Sequence, residues 1–448
     1  MYKIILAVRY LVRRPIAYLA VLAVALCVFI VVVVMTVLTG LVTDFRDKNH
    51  SFVGDCVVGT ESLVGFAYYE DFVKRLEEAD FVESTSVVIR SYALISPVGG
   101  ERNIGVEIMG IDPRGHIKAT GWGETLYYNR AAPWKAFEQS YEPNVPGCVV
   151  GIDLLLMRDA KGGYVHGVTV SEIPLAVTCF PLTAKGALAL AGTGLVRTKT
   201  FCVSDTAHSG LARVDTSIIY VPFEQAQLLC MSGAAKRASA IHIKFKPGVK
   251  IEEGRQKVSA LWQRFKQEKA GEAQAYLLDT VTVRGWKEDR RAFIAAMEKE
   301  QTMMTAMFGL VGVTTVFIVF VVFYMIISHK SKDIGILKSL GVSNFNLVQV
   351  YLGFAILVGM LGSALGAAGG WMFLAYINPI ERWLFEHFDF QLWDRSIFAI
   401  GDIPNQIELS VLAAIILSAI FACLAGALVP SWQAARVRPV ETLRVSQL

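Results

Sequence analysis

Chemistry in this chain of 448 residues would have to come from its seven histidines, seven cysteines and 39 acidic residues. Five of the histidines, His50, His116, His166, His208 and His242, are scattered through one long polar segment. A zinc hydrolase needs two histidines one helical turn apart, and a serine hydrolase needs its nucleophile on a sharp turn between glycines. Neither H-E-x-x-H nor G-x-S-x-G occurs, and no spaced carboxylate pair stands out. His208 near Asp205 and Asp215 is the nearest approach to a cluster. The stretch Gly192–Thr200 has the glycines of a phosphate loop but not its Lys-Ser/Thr spacing, so the chain is expected not to hydrolyse ATP by that route. No C-x-x-C pair occurs, which weakens zinc and thioredoxin-like readings. Cys27 and Cys423 lie in apolar blocks. Cys56, Cys148, Cys179, Cys202 and Cys230 lie in the polar segment, where a disulfide is open in an oxidising compartment and an odd number leaves at least one thiol free. The expectation is no catalytic residue and no metal site. A net charge of +4 without a basic run interleaved with aromatics also excludes nucleic acid.

The elements that carry these residues are those of a membrane protein. The chain is 54% hydrophobic and 18% charged, against roughly a quarter charged in a soluble domain. The deficit sits in four apolar blocks, 16–43, 302–328, 347–377 and 409–430. Each exceeds the roughly 20 residues a spanning helix needs. The first is too long for a signal-peptide core and no A-x-A site ends it, so it reads as an uncleaved anchor. Lys3, Arg9, Arg13 and Arg14 precede it, Lys330, Lys332 and Lys338 lie between spans two and three, and Arg436, Arg438 and Arg444 follow span four. The positive-inside rule then places both termini and the 329–346 loop in the cytoplasm. The 44–300 segment and the acidic 378–408 loop fall outside.

The 44–300 segment reads as α+β. Val87–Ile95, Gly105–Asp112 and Ile241–Phe245 have strand character, and Tyr69–Glu78, Phe223–Leu229 and Gly254–Phe265 have helical periodicity. The fold class is thus four transmembrane α-helices with a large α+β extracytoplasmic domain inserted between the first and second spans. The small-residue stretch Pro181–Leu195 is either a buried hairpin or short core helix, or an exposed apolar loop offered to a partner. Trp286–Gln301 has no Gly or Pro, so helix can run unbroken into span two. With the continuation of span one past Gly40, that makes a stalk, or simply two flanking helices. Span three carries Gly362-x-x-x-Gly366-x-x-x-Gly370, a ridge that lets helices approach closely. Spans two to four hold no charged residue or histidine, which argues against a proton relay or an ion pathway.

The most telling stretch lies at a membrane face, between spans two and three: Lys332-Asp333-Ile334-Gly335-Ile336-Leu337-Lys338-Ser339-Leu340-Gly341-Val342-Ser343. Ile334 with Leu337, and Ile336 with Leu340, fall at helical spacing among charges. Such a knob fits a groove on a soluble partner, or rests on lipid headgroups. The stretch resembles the coupling-helix motif of FtsX-like ABC transporter permeases. The tail Pro430–Arg444, with its Ala-Ala pair and Pro-Val-Glu-Thr-Leu-Arg ending, is similar to that family's closing motif. Gly147–Asp153 and Phe201–Ala226 fit the outer domain, and the span order matches throughout. Asp333 and Ile403-Pro404 fit the Lol-type (LolC/LolE-like) lipoprotein-releasing permeases, related to the MacB-type membrane domain. The 181–198 segment falls roughly where the chaperone-recruiting Lol permease has its hook loop, although the local sequence differs.

The resemblance implies a dimeric permease, homo- or heteromeric, in the bacterial inner membrane with its large domain periplasmic. Two copies of a separate ABC-type ATPase would bind ATP and Mg, so this chain needs no cofactor. Lys332, Asp333, Ile334, Gly335, Ile336, Leu337, Lys338, Leu340 and Gly341 would couple to that ATPase. Val37, Leu38, Leu41, Met304, Met307 and Phe308 would line an acyl-chain cavity. The implied function is extraction of lipoproteins for release to a periplasmic chaperone. The alternative is mechanotransmission, driving an efflux duct or a periplasmic hydrolase without carrying cargo.

Overall fold

The computed structural model describes residues 15–97, 103–138, 144–156, 173–187, 196–232, 236–329, 336, 338–339, 341–388 and 403–436. In chain order the elements are α1 (Pro15–Val53), β1 (Cys56–Gly59), α2 (Tyr69–Glu77), β2 (Val82–Pro97), β3 (Ile104–Ile111), α3 (Pro113–Ala119), β4 (Gly147–Gly151), β5 (Pro174–Cys179), β6 (Arg197–Ala207), β7 (Ile218–Pro222), α4 (Phe223–Cys230), β8 (Ala240–Phe245), α5 (Ile251–Glu268), β9 (Thr282–Gly285), α6 (Arg291–His329), α7 (Asn344–Phe388) and α8 (Leu409–Arg436). They fall into two compact units. One draws on residues 1–43, 296–393 and 402–448, and the other on 44–295 with 394–401.

In the first unit α1, α6, α7 and α8 are each long and apolar enough to cross a membrane. Their shared core takes Val24, Val28 and Val32 from α1, Val319 and Phe323 from α6, Phe354 and Val358 from α7, and Cys423 and Ala427 from α8. Lipid is as apolar as leucine, so close backbone approach rather than water exclusion holds such helices together. The glycine ridge of α7 supplies it. A Cβ on Gly362 would lie 2.8 Å from Val24 Cβ, and one on Gly366 would lie 2.5 Å from the Ala25 carbonyl oxygen. Large apolar side chains on the other faces stay exposed, among them Leu22, Phe317, Trp371 and Phe421. The third helix runs past the expected end at 377 through Phe388. Glu381–Phe388 contains no glycine, and Pro379 removes one backbone donor without ending the helix.

The second unit is built on a nine-stranded mixed sheet in the order β3-β7-β4-β6-β5-β2-β8-β1-β9, with β3 also pairing β2. That extra pairing closes β2, β3, β7, β4, β6 and β5 into a small barrel. The 16-residue β2 makes this possible. Its first half, Val82–Val88, pairs β8, while Val88–Ile95 pairs β3 and Ala93–Pro97 pairs β5. A barrel this small is filled by side chains rather than hollow. Ile89, Ile108, Val150, Val177, Phe201 and Val221 fill it, together with Ala226, Leu229 and Cys230 from α4. Helix α4 reaches the strands because residue 110 is glycine, whose added Cβ would sit 2.2 Å from Ala226 Cβ.

Outside the barrel, β8, β1 and β9 carry α2 and α5. Tyr69, Phe72 and Leu76 form the buried stripe of α2, and Val258, Trp262 and Phe265 that of α5. Acidic residues in the first turn of each complement the helix dipole. The strands and helices read from sequence within this unit are present, each within a few residues of its expected bounds, but the unbroken helix expected from Trp286 into span two is not: a short helix Trp286–Asp289 ends at Arg290, whose backbone leaves the helical region, and α6 starts at Arg291.

Candidate functional site

The nine residues expected to couple to a partner lie in the segment between α6 and α7. Of its nine expected coupling residues, Lys332, Asp333, Ile334, Gly335, Leu337 and Leu340 lie outside the described residues. Ile336 and Lys338 are helical, and Ile336 is half exposed. Gly341 has a left-handed backbone, φ 88°, and its N–H donates to the Lys338 carbonyl at 3.0 Å, the turn that ends a helix. Ser343 then accepts the Asn346 N–H on its hydroxyl at 3.3 Å, starting α7. Lys338 Nζ donates to the Ala435 carbonyl at 2.6 Å, at the end of α8. Ala434 and Ala435 pack in turn on Leu347 and Tyr351 of α7. The described part of this segment is therefore tied to the first turn of α7 and the last turn of α8.

The helices α1 and α6 have 39 residues each. At 1.5 Å per residue that is roughly 58 Å, about twice the hydrocarbon thickness. Within the second unit the last turns of α1 are fastened to residues 286–294, the short helix Trp286–Asp289 and the start of α6. His50 stacks on Trp286 at 4.7 Å and its Nε2 pairs with Asp55 at 2.7 Å. The Arg290 guanidinium lies over Phe52 at 4.3 Å and over Phe293 at 4.9 Å. Val53, Val57, Trp286 and Ile294 bury a small apolar cluster beneath them.

In the first unit an apolar groove of about 380 Å³ opens between α1, α6 and α8. Cys27, Val28 and Val31 form one wall, Phe308 to Val316 the second, and Ile415 to Ala422 the third. Its two hydroxyls are spoken for: Thr315 donates to the Val311 carbonyl at 2.9 Å and Ser418 to the Ile415 carbonyl at 2.8 Å. The groove thus offers hydrocarbon rather than hydrogen bonds. Gly309 and Gly312 have nothing within 4 Å of an added Cβ, so the floor is open. Of the six residues expected to line an acyl cavity, Phe308 lies in this groove. Val37 packs on the membrane core, Leu41 is buried, Met307 is exposed, and Leu38 and Met304 are part-buried elsewhere. Sequence reasoning passed over Gly309, Gly312, Ala419 and Ala422. Their spacing at i and i+3 on two helices was the available signal. The motif Ile403-Pro404 also belongs to this unit, with Pro404 against Gly40 of α1 and Asn378 bonding both polar groups of the Ile403 backbone, at 2.8 and 3.2 Å.

Several buried polar groups of the second unit brace its loops. Asp205 is fully buried and accepts the backbone N–H groups of Tyr127, Tyr128, Asn129 and Thr206. Asp215 gathers Ser209 and Gly210, with His208 Nδ1 at 3.3 Å, and forms a loop brace rather than a catalytic pair. The Arg237 guanidinium, buried, donates to the carbonyls of Val64, Leu182 and Ser232. Among the described residues no three His, Cys, Asp or Glu side chains are grouped to hold a metal ion.

His116 and His242 are buried side by side, ring centres 5.8 Å apart, with Ser86 hydrogen-bonded to His116 Nδ1 at 2.9 Å. Burial pushes His116 down to about 3, and burial with the neighbouring His116, Arg90 and Arg290 pushes His242 well below its ordinary value. A histidine depressed in the folded state stabilises above its unfolded value near 6.5 and loses that contribution as pH falls below it. Melting of the full-length protein at pH 5 rather than 7.5 should thus lose about 2 kcal/mol through His116 alone. A pH-independent melting temperature between 7.5 and 5 would contradict the buried neutral pair, and His116→Gln should flatten the dependence.

Residues 305–439 match the family described as FtsX-like permease C-terminal. Over 430 residues the chain is 21% identical to the lipoprotein-releasing system transmembrane protein LolC of Xylella fastidiosa, covering 96% of this chain and 94% of that protein. It is 22% identical over 379 residues to LolC of Neisseria meningitidis serogroup B, covering 84% and 81%. The solved periplasmic region of MacB from Actinobacillus actinomycetemcomitans aligns with 56% of this chain and 97% of its own length, at 9% identity and a TM-score of 0.32.

Proposed function

We propose that this chain, whose residues 305–439 form an FtsX-like permease domain, is the membrane subunit of an ATP-driven transporter that extracts lipoproteins from the inner membrane. The cargo passes to a periplasmic carrier. The observation that carries the reading is the apolar groove between α1, α6 and α8, open at Gly309 and Gly312 and with its hydroxyls internally satisfied. Its volume, about 380 Å³, falls in the ~300–1,000 Å³ range of ligand-holding clefts. A lipoprotein's acyl chain needs hydrocarbon contact without polar anchors, which is what this lining offers. The lipoprotein-releasing names of the relatives, aligned over most of the chain, support the same cargo.

In this reading both termini are cytoplasmic and the sheet domain is periplasmic. Two copies of a separate ATPase bind ATP and Mg, and a second permease subunit completes the complex. Closure of the ATPase pair moves the 329–346 segment. The motion passes through the starts and ends of α7 and α8 and along α1 and α6, whose fastened turns beside Trp286 carry it into the periplasmic domain. A second reading, mechanotransmission without cargo, is favoured by those same 39-residue helices.

Purification from native membranes in mild detergent, followed by mass spectrometry, separates the two. A nucleotide-binding subunit with triacylated lipoproteins supports extraction. The same subunit with a periplasmic adaptor or hydrolase, and no lipoprotein, supports mechanotransmission. Gly312→Phe should discriminate further, because a Cβ there meets nothing and the ring then fills the groove. Lipoprotein recovered with the complex is expected to fall about tenfold, the effect of losing roughly 1.4 kcal/mol of binding. Unchanged recovery would remove the groove from the cargo path.

A further inference from the structure

Five cysteines lie in the second unit, all buried: Cys56, Cys148, Cys179, Cys202 and Cys230. One pair has its sulfur atoms in contact, Cys179 and Cys230, with Sγ to Sγ at 3.5 Å. Cys179 is the last residue of β5 and Cys230 the last of α4, so 51 positions separate them in the chain. Both belong to the core that fills the barrel. Cys56 belongs to the separate core under α2 and α5. A disulfide needs about 2.05 Å between its sulfurs, so the two sulfurs, at 3.5 Å, stand within roughly 1.5 Å of bonding distance. No third His, Cys, Asp or Glu joins it among the described residues, which leaves a metal reading without ligands.

The surrounding contacts give the pair a role. The connection between β5 and β6 begins just after Cys179 and ends at Arg197. At its start, the Leu182 N–H donates to the Cys230 carbonyl at 3.2 Å. At its end, the Arg197 guanidinium donates to the carbonyls of Leu228 and, at 3.1 Å, Met231. Both ends are thus fastened to the final turn of α4, so far by hydrogen bonds alone.

We propose that Cys179 and Cys230 form a disulfide in the native protein, locking the base of the β5–β6 connection to the helix that fills the barrel. The inference rests on the periplasmic placement of this domain, since disulfides persist on that side of the membrane and not in the cytoplasm. The oxidant is another disulfide, of a thiol oxidoreductase or of glutathione. One thiolate attacks it and expels a thiol, forming a mixed disulfide. The second thiolate then closes the Sγ–Sγ bond and expels the other thiol. Two protons leave Cys179 and Cys230, and two electrons reduce the external disulfide. The hydrogen bond with the Cys230 thiol, and then burial, raise Cys179 far above its ordinary value, and thiolates rather than thiols exchange. Both sulfurs lie in the buried core, which would shield the finished bond from reduction.

The test uses the full-length chain in spheroplasts of the cells that carry it. A membrane-impermeant amine reagent is applied first, then the protein is denatured in excess maleimide without reductant, digested and mapped by mass spectrometry. The expected result is a Cys179–Cys230 cross-linked peptide, five of the seven cysteines alkylated, and label on the exposed Lys236. Cys179→Ser should release Cys230 to alkylation, and the converse variant should release Cys179. Alkylation of both thiols in the parent, or a link from either to another cysteine, overturns the proposal. Lys236 separates the causes. Labelled lysine with free thiols means the bond does not form despite a periplasmic domain. Lysine labelled only after lysis means the placement itself is wrong.

Discussion

Replacing Gly366 with leucine is expected to leave the chain unable to assemble its membrane half. A Cβ at this position already falls 2.5 Å from the Ala25 carbonyl oxygen and 2.8 Å from Val28 Cβ. One obstacle is backbone and the other is the branch point of a stiff side chain, so neither can turn aside. Leucine adds three further carbons into the same gap, and α1 must move off α7. The contacts of Val24, Val28 and Val32 with α7 go with it. Overpacking of this kind costs about 1–3 kcal/mol or more, a large part of a total of about 5–15. The monodisperse fraction of detergent-extracted protein should fall steeply, with the melting temperature lowered in what remains. Gly353→Leu, on the same helix but with nothing within 4 Å of its Cβ, should behave like the parent. If Gly366→Leu also elutes and melts like the parent, α1 and α7 do not pack along this ridge.

Ile336→Asp should have the second large effect, on function and not on folding. Ile336 is half exposed in the segment that runs from α6 to α7, so a carboxylate there costs the fold little. It replaces an apolar knob with a charge at the place where the proposed ATPase would seat. Interface residues of this kind carry about 2 kcal/mol or more, equivalent to roughly thirtyfold in affinity. ATP-driven lipoprotein release in vesicles should be lost while insertion and extraction yield stay normal. Gly335→Asp and Leu340→Asp carry the same expectation from their spacing in the sequence. Release at the parent's rate in all three would end the coupling assignment, and a segment resting on lipid headgroups would then account for its amphipathic pattern.

These two predictions draw on different sources. The charged stretch between spans two and three was legible as lying outside hydrocarbon, wherever the rest of the chain goes. The glycine ridge was legible as a ridge, since three glycines four residues apart share one helix face. Its partner was not. That Gly362 meets Val24 and Gly366 meets Ala25 and Val28 depends on which of three other helices lies alongside, and all three are uniformly apolar. The groove was hidden for the same reason. Phe308 was expected to face a cavity shared with Val37, Leu38 and Leu41 of α1, yet the α1 wall is Cys27, Val28 and Val31, and a third wall comes from α8, more than 100 residues along the chain.

By itself the sequence determined the four spans, the inserted α+β domain, three of the nine strands and the helices at 69–78, 223–229 and 254–265. Those are local consequences of apolar length, periodicity and charge. Only the tertiary structure decided that β2 would serve three partners and so close a barrel, that α4 would fill it across Gly110, and that Cys179 would meet Cys230. A strand's alternation specifies which face is buried but not which neighbour takes its backbone hydrogen bonds. That choice is settled by long-range packing, where volume and register leave one arrangement without voids or unpaired groups.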